Sequence, residues 1–254
     1  MQILTRLSHG VVLAAIAAAA FPATALSQNR TADAIFEEII VTATKRAGGI
    51  DVQDAPVAIT AYSERQLDAM HLRDVQAIGY SAPSVQLEDI GTTRGTANFS
   101  IRGLGVNSSI PSIDPTVGVF VDGMYLGINS GVVLDLFDME GIEVLRGPQG
   151  LLFGRNVTGG AVLLRTTRPS EDFRFKGKLA TESGDNIYAS AVVSGPLSDA
   201  WRGKFSLYRN NDGGWHTNQA TGAHHGAAET TIVRGGLEFL PTDTMSFLLR
   251  LEHG

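Results

Sequence analysis

The 254-residue chain contains no cysteine. This absence excludes a disulfide framework, a thiolate metal site and a cysteine nucleophile. Basic residues are also scarce, because 20 Lys and Arg stand against 26 Asp and Glu and give a formal net charge of -6. Nucleic-acid binding, which needs a basic face, is therefore disfavoured. No apolar run approaches the roughly 18 residues that a membrane-spanning helix requires.

The N-terminus has the pattern of an export signal. Arg6 supplies positive charge, the apolar run of residues 11–21 is too short to span a membrane, and residues 23–25 read Ala-Thr-Ala, a cleavage pattern. We therefore expect a signal peptide over residues 1–25. A short, flexible leader is expected over residues 26–49.

Glycine is abundant, with 29 residues against roughly 18 expected at about 7% average usage. Glycine recurs in the stretch from residue 141 to 169 and sets its turns. Two apolar runs there, Ile142–Leu145 and Ala161–Leu164, are predicted strands, and one turn of helix is possible at Leu151–Phe153. The turns between the strands contain residues that set the backbone conformation: Gly147, Pro148, Gly150, Gly154, Gly159 and Gly160. We expect a rigid loop that sits inside a larger structure.

Residues 50–168 mix predicted strands with two small helices. Ser63 and Gln66 have the spacing of a capping box at the start of the first helix, and the second helix is predicted over residues 73–78, ending at Gly79. Asp122-Gly123 predicts a two-residue hairpin turn. The pattern indicates a compact α+β domain with a small mixed sheet.

Beyond Pro169 the apolar residues recur with period two. In the first segment the apolar positions are Phe173, Phe175 and Leu179, and charged residues lie between them. Five such segments of roughly ten residues are typical of strands in outer-membrane barrels, and a soluble β-sandwich has the same period.

Connection lengths favour the barrel. The turns at Gly195–Ala200 and Pro241–Asp243 are short, whereas the connection Asn210–Glu229 is long, which is the asymmetry of outer-membrane barrels. We expect residues 169–254 to form the first antiparallel strands of an incomplete transmembrane β-barrel. Five strands cannot close, so we expect this length of chain not to span a membrane stably.

The stretch Gly141–Pro169 resembles the end of the plug domain of TonB-dependent outer-membrane receptors, and Ser100–Gly105 resembles an earlier motif of the same plug. The resemblance covers roughly residues 37–170 and, more weakly, the tail as the start of the barrel. It implies a transport protein of the outer membrane, in contact with lipid, whose plug (residues 50–168) closes the barrel. Its implied partners are TonB and an extracellular ligand of unknown identity, often a siderophore–iron complex.

One segment near the start of the plug resembles the family's TonB box: Glu38, Ile39, Ile40, Val41, Thr42 and Ala43. It is strongly β-forming and has no evident neighbour close in sequence to pair with. Capture by strand addition to a partner's sheet suits such a segment. The alternative is that it is simply the first strand of the next domain.

Further roles follow from the resemblance. Arg102 and Arg146 stand where the family's plug arginines face glutamates of the barrel wall, as a plug–barrel latch, and the partner glutamates are expected beyond Gly254. The alternative is an exposed arginine beside a turn. A polar loop at the outer apex of the plug is a candidate for ligand contact, although its composition is also that of an ordinary turn. Its candidate residues are Asn107, Ser108, Ser109 and Asp114.

The remaining patterns predict no chemistry. His224-His225 has no third ligand at metal-binding spacing, so both are interpreted as solvated loop residues. The glycine-rich runs lack the features of phosphate loops, and no serine elbow motif is present. We expect no catalytic residue, metal site or cofactor. A soluble periplasmic binding or scaffold module, or a non-functional truncated receptor, remains the alternative to a working transporter.

Overall fold

The structure is a computed structural model, and it describes residues 39–45, 48–90, 93–106, 113–127, 135–182, 186–214, 216–222, 224–242 and 244–254. The predicted signal peptide, most of the leader and Glu38 lie outside the described residues. The rest of the coupling segment, the name used here for residues 38–43, is described.

The described residues form strands and a few short helices. The strands are β1 (Ile40–Val41), β2 (Ile50–Asp51), β3 (Ile59–Ser63), β4 (Val85–Ile90), β5 (Thr93–Ile101), β6 (Leu104–Gly105), β7 (Val117–Val121), β8 (Met124–Tyr125), β9 (Met139–Arg146), β10 (Gly160–Thr166), β11 (Arg174–Glu182), β12 (Asn186–Ser198), β13 (Trp201–Asp212), β14 (His216–Thr217), β15 (His224–His225), β16 (Ala228–Thr242) and β17 (Met245–His253). The helices are α1 (Glu64–Ala69), α2 (Val75–Ser81) and α3 (Gly150–Phe153), with a 3-10 helix at Val52–Asp54.

The first part of the chain is built on a five-stranded mixed sheet with the order β3-β9-β10-β7-β8. β10 runs parallel to β7 and antiparallel to β9. Both faces of β9 and β10 are covered: Val144 and Val162 pack into the larger core, and Leu145 and Ala161 pack into a second cluster on the other face. Because both faces are buried, these strands read as continuous apolar runs. The predicted α+β plug fold with a mixed sheet is confirmed.

The β7–β8 hairpin has the predicted turn. Asp122 and Gly123 both adopt positive φ angles, +51° and +84°, as a type I′ turn requires. At the start of α1, Ser63 and Gln66 exchange the two hydrogen bonds of a capping box. The local sequence therefore sets both features.

The prediction for α2 is wrong at both ends. The helix begins after its cap Asp74 and continues to Ser81, beyond Gly79. Gly79 lies inside the helix because α2 packs closely on β4: a Cβ at this position would lie 3.2 Å from the backbone nitrogen of Leu87. This glycine serves helix–sheet packing and does not end the helix.

The second part of the chain is a five-stranded antiparallel sheet with the order β11-β12-β13-β16-β17, called the wall here. Its strands are longer than expected, because β12 continues to Ser198 across a register shift and β16 continues to Thr242. These two strands therefore include part of each expected turn. The long connection contains the small β14–β15 hairpin.

The two faces of the wall differ in character. One face packs on the plug, and the other exposes large apolar side chains: Phe175, Leu179, Ile187, Val193, Phe205, Leu207, Phe247, Leu249 and Leu251. No second sheet covers this outer face within the described residues, so the sandwich alternative is not what the strands form. Near one end of the strands Trp201 stacks on Phe239, with ring centroids 4.5 Å apart. Among the described helices, none is long and apolar enough to cross a membrane.

Candidate functional site

The wall holds the plug through ion pairs along its inner face. At helix α1, the Lys176 Nζ lies 2.6 Å from both Glu64 Oε1 and Asp68 Oδ2, and Lys178 also binds Asp68. Burial alone would raise the pKa of Asp68, but the hydrogen bonds from Lys176 and Lys178 outweigh it and hold this pKa below its ordinary value. The Asp68 carboxylate therefore faces the wall in charged form at neutral pH.

Asp138 is the most deeply buried of these contacts. The Lys204 Nζ lies 2.6 Å from Asp138 Oδ2, and both side chains are almost fully buried. Ser206 donates a hydrogen bond to the same oxygen at 2.6 Å, and the Arg234 guanidinium lies 3.9 Å from it while stacking on the ring of Phe137. Several partners surround this charge, as a buried carboxylate requires.

The hairpin residue Asp122 makes the third contact. Its carboxylate accepts hydrogen bonds from Thr166 N at 2.9 Å and Thr166 Oγ1 at 2.8 Å, and it pairs with Arg250 of β17 at 2.8 Å. In two further ion pairs the plug supplies the arginine and the wall supplies the glutamate: Arg73 with Glu182, and Arg168 with Glu238. This surface was not predicted, although the sequence contains its signal: many polar positions of the alternating segments carry Lys or Arg.

The coupling segment is paired in the structure, so the expectation of an unpaired strand is wrong. Ile40 pairs with Asp51 and Val41 with Ile50, and the side chains of Val41 and Ala43 are 0% and 1% exposed. A tight approach allows this: Gly49 adopts φ +73°, and a Cβ there would lie 2.9 Å from the carbonyl oxygen of Val41. In this conformation the segment is the first strand of the plug, as the alternative interpretation had it.

Glu143 of β9 binds the end of the coupling segment. Its carboxylate accepts hydrogen bonds from Thr42 N and Ala43 N, each at 2.8 Å, and from Thr42 Oγ1 at 3.0 Å. The Arg165 guanidinium lies 3.7 Å from the same carboxylate and donates to Thr42 Oγ1 at 3.2 Å. Sequence reasoning did not single out Glu143, whose only signal is a charged residue inside an apolar strand.

The loop between β9 and β10 is closed by backbone hydrogen bonds and has tight approaches at its glycines. Gly147 N donates to Gly159 O at 2.9 Å, and Gly159 N donates to Thr116 O at 2.8 Å. Gly160 adopts φ +155°, and a Cβ there would lie 2.7 Å from Ile101 Cδ1. The short helix α3 forms where one turn was predicted, beginning at Gly150 and ending before Gly154.

The structure brings Arg102 and Arg146 to the same corner of the plug. The backbone nitrogen of Arg102 donates to Ser84 O at 2.8 Å, and Arg146 Nη1 donates to the neighbouring Pro83 O at 3.4 Å. Arg102 is exposed, whereas Arg146 Nε is buried without a hydrogen-bond partner among the described residues.

The candidate ligand-contact residues are only partly described. Asn107, Ser108 and Ser109 lie outside the described residues. Asp114 is exposed and accepts a hydrogen bond from Asn156 at 3.3 Å, so it contacts the end of the glycine-rich loop.

The histidine pair belongs to the small hairpin of the long connection. His225 lies opposite His216 and His224 opposite Thr217 in the β14–β15 register. No group of three or more metal-ligating side chains occurs in the described parts of the chain.

Comparison with known proteins assigns the family. The protein-family model for the TonB-dependent receptor plug domain matches residues 51–161 of the sequence. The iron-regulated outer membrane virulence protein of Vibrio cholerae is 33% identical over 192 residues, covering 71% of this chain and 28% of that protein. The chain belongs to the TonB-dependent receptors. The pesticin receptor of Yersinia pestis is 27% identical over 221 residues, which cover 86% of this TonB-dependent receptor chain and 32% of the pesticin receptor.

Solved structures agree with this TonB-dependent receptor fold. The ferric yersiniabactin uptake receptor of Yersinia pestis superposes with a TM-score of 0.67 and 27% identity, covering 77% of this chain and 31% of that one. The pyoverdine outer membrane receptor of Pseudomonas aeruginosa gives a TM-score of 0.70 at 19% identity, covering 84% and 29%, which supports the fold alone. The chain spans 24% to 32% of the length of the curated relatives it matches.

Proposed function

We propose that this chain supplies the plug, the coupling segment and the first wall strands for TonB-dependent uptake of a scarce ligand across the outer membrane. One observation carries the proposal: a wall with an apolar outer face binds the plug's carboxylates with its basic inner face. Lys176, Lys204 and Arg250 reach three separate parts of the plug. Such a two-faced sheet fits lipid on one side and a plugged lumen on the other.

The ligand class is proposed from the relatives. Their names describe a ferric yersiniabactin uptake receptor, a ferrioxamine B receptor and a ferripyoverdine receptor. A siderophore–iron complex is therefore the proposed ligand for this chain. Asn107, Ser108, Ser109 and Asp114 are the proposed contacts of the plug with that ligand.

The remaining residues have roles in closing the lumen and transmitting force. Arg102 and Arg146 are proposed to pair with acidic residues of a completed wall, because the buried Arg146 Nε has no partner among the described residues. The rigid loop from Gly147 to Gly160 fixes the plug's shape. TonB is proposed to add the coupling segment as a strand and pull on it, so that the chain makes and breaks no covalent bond. An N-terminal signal peptide is the proposed means of export.

The coupling role is tested by the binding of the purified periplasmic domain of TonB to the chain in detergent. Ile40→Pro removes a backbone N–H and blocks strand pairing, whereas the matched variant Ile40→Val keeps a β-branched side chain at the same position. We expect Ile40→Pro to weaken binding by roughly tenfold or more, the factor for losing one or two net hydrogen bonds, and Ile40→Val to bind like the wild type. Equal binding of the two variants would contradict the assignment.

A further inference from the structure

Glu143 is a charged residue in the interior of the plug sheet. It lies in the middle of β9, opposite Leu163 on one side and Ala61 on the other, and it is 1% exposed. A buried carboxylate is costly unless it is paired and fully hydrogen-bonded. The groups that bind this carboxylate therefore indicate what it does.

Most of those groups belong to the coupling segment. Two of the three hydrogen bonds come from the backbone nitrogens of Thr42 and Ala43, and the third comes from the Thr42 hydroxyl. Arg165 approaches both the carboxylate and the same hydroxyl. We call these four residues, Glu143, Arg165, Thr42 and Ala43, the clasp.

The clasp occupies the donors that strand addition would use. Successive backbone N–H groups of a strand point to opposite edges, so a partner strand on either edge needs the donor of Thr42 or of Ala43. Both donors are held by one carboxylate at 2.8 Å. The clasped segment therefore cannot at the same time pair fully with a partner strand.

Apart from the clasp, the described contacts of the segment are a short strand ladder, one adjoining backbone hydrogen bond and buried side chains. The β1–β2 ladder has two residue pairs, and the adjoining backbone contributes the bond from Val52 N to Ile39 O at 3.0 Å. The side chains of Val41 and Ala43 are buried, and Lys45 Nζ donates to Leu152 O at 2.5 Å. Charge-assisted hydrogen bonds are stronger than the neutral bonds of such a short ladder.

We infer that Glu143 withholds the coupling segment from its partner, and that release of the clasp is required before strand addition. This inference rests on the proposed function, because it names the residue that regulates the segment assigned to TonB. Glu143 is a positioning residue: it acts by holding two backbone donors, and a partner strand competes with it for them.

The test uses the absence of cysteine from the wild-type chain. Ala43→Cys places a single buried thiol in the segment, and its rate of reaction with a maleimide reports how often the segment opens. We expect Glu143→Ala to raise that rate by at least about tenfold, the factor for losing one charge-assisted hydrogen bond, and Glu143→Gln to raise it less. Glu140→Gln is the matched control, because Glu140 also lies in β9 and approaches Arg165, at 3.8 Å, but has no place in the clasp.

A second reporter separates release of the segment from unfolding of the plug. Ala82→Cys places a thiol in the main core, where Ala82 is 4% exposed, and this thiol must stay protected in the variant that is scored. If the thiol at position 82 becomes reactive in Glu143→Ala, the labelling rate at position 43 is compared in Glu143→Gln instead. The inference would be overturned if the Glu143 variant labelled at position 43 no faster than Ala43→Cys alone. It would also be overturned if Glu140→Gln raised the labelling rate by the same factor as the Glu143 variant.

Binding of the TonB periplasmic domain distinguishes the inference from the proposal on which it rests. If both hold, the Glu143 variants bind this domain more tightly than the wild type. Faster labelling of the thiol at position 43 without any TonB binding would support the clasp and contradict the coupling role. Unchanged labelling in the Glu143 variants together with intact TonB binding would contradict the clasp and support the coupling role.

Discussion

Ion pairs between individual residues connect the plug to the wall, and the contribution of each pair to stability depends on its burial. Asp138 and Lys204 are both almost fully buried, so loss of either would leave the other charge unpaired in the interior. Asp68 is more accessible and pairs with Lys176 and Lys178 at the surface of α1. Screening by solvent makes such a pair weaker. Asp68 is nevertheless the better probe, because its replacement leaves its partners Lys176 and Lys178 in contact with solvent and not buried without a counter-charge.

The lowered pKa of Asp68 predicts a dependence of stability on pH. The folded state favours the charged form, so the stabilisation is complete above the ordinary Asp pKa of about 3.9 and is lost as pH falls through the lower folded value. The difference in unfolding free energy between the wild type and Asp68→Asn should therefore be constant from about pH 5 to about pH 7 and shrink below about pH 4. Denaturant titrations at each pH measure it. A difference that persists undiminished at about pH 2 would refute the assignment.

At the scale of elements, the sequence predicts those whose conformation is set locally. The capping box at Ser63, the hairpin at Asp122 and the turn of helix in α3 all form as expected, because each depends on a few adjacent residues. The pairing of β1 with β2 was not predicted. It depends on Gly49, which allows close backbone approach, and on Glu143, which lies 100 positions from Ala43 in the sequence.

The loop between β9 and β10 gives a matched pair of glycine substitutions. Gly160→Ala places a Cβ on a backbone at φ +155° and 2.7 Å from Ile101 Cδ1, so we expect a loss of about 1–3 kcal/mol in unfolding free energy. Gly150→Ala is the control, because the space around Gly150, the first residue of α3, is open, and alanine favours helix. Denaturant unfolding of the two variants measures the difference. Equal stability of the two would contradict the constrained geometry.

At the scale of the whole molecule, period-two alternation together with the connection lengths predicted the wall and its apolar outer face. The contacts between plug and wall could not be predicted, because ion pairs such as Arg250 with Asp122 join residues far apart in the sequence. The strand lengths also depend on pairing: β12 and β16 extend into their predicted turns because their neighbours in the sheet continue the ladder. Local patterns specify each strand, and the assembled sheet determines where it ends.

The proposed function requires the wall to separate an apolar environment from the plug, and alternate residues of β13 test this separation most directly. Single cysteine substitutions of Phe205, Ser206, Leu207 and Tyr208, labelled with a fluorophore in the otherwise cysteine-free chain, are compared in detergent micelles that contain a fatty acid bearing a nitroxide quencher. Phe205 and Leu207 are exposed on the outer face, whereas Ser206 and Tyr208 are buried toward the plug. We predict strong quenching at positions 205 and 207 and weak quenching at positions 206 and 208. Equal quenching at all four positions would contradict a wall with one face in lipid and the other on the plug.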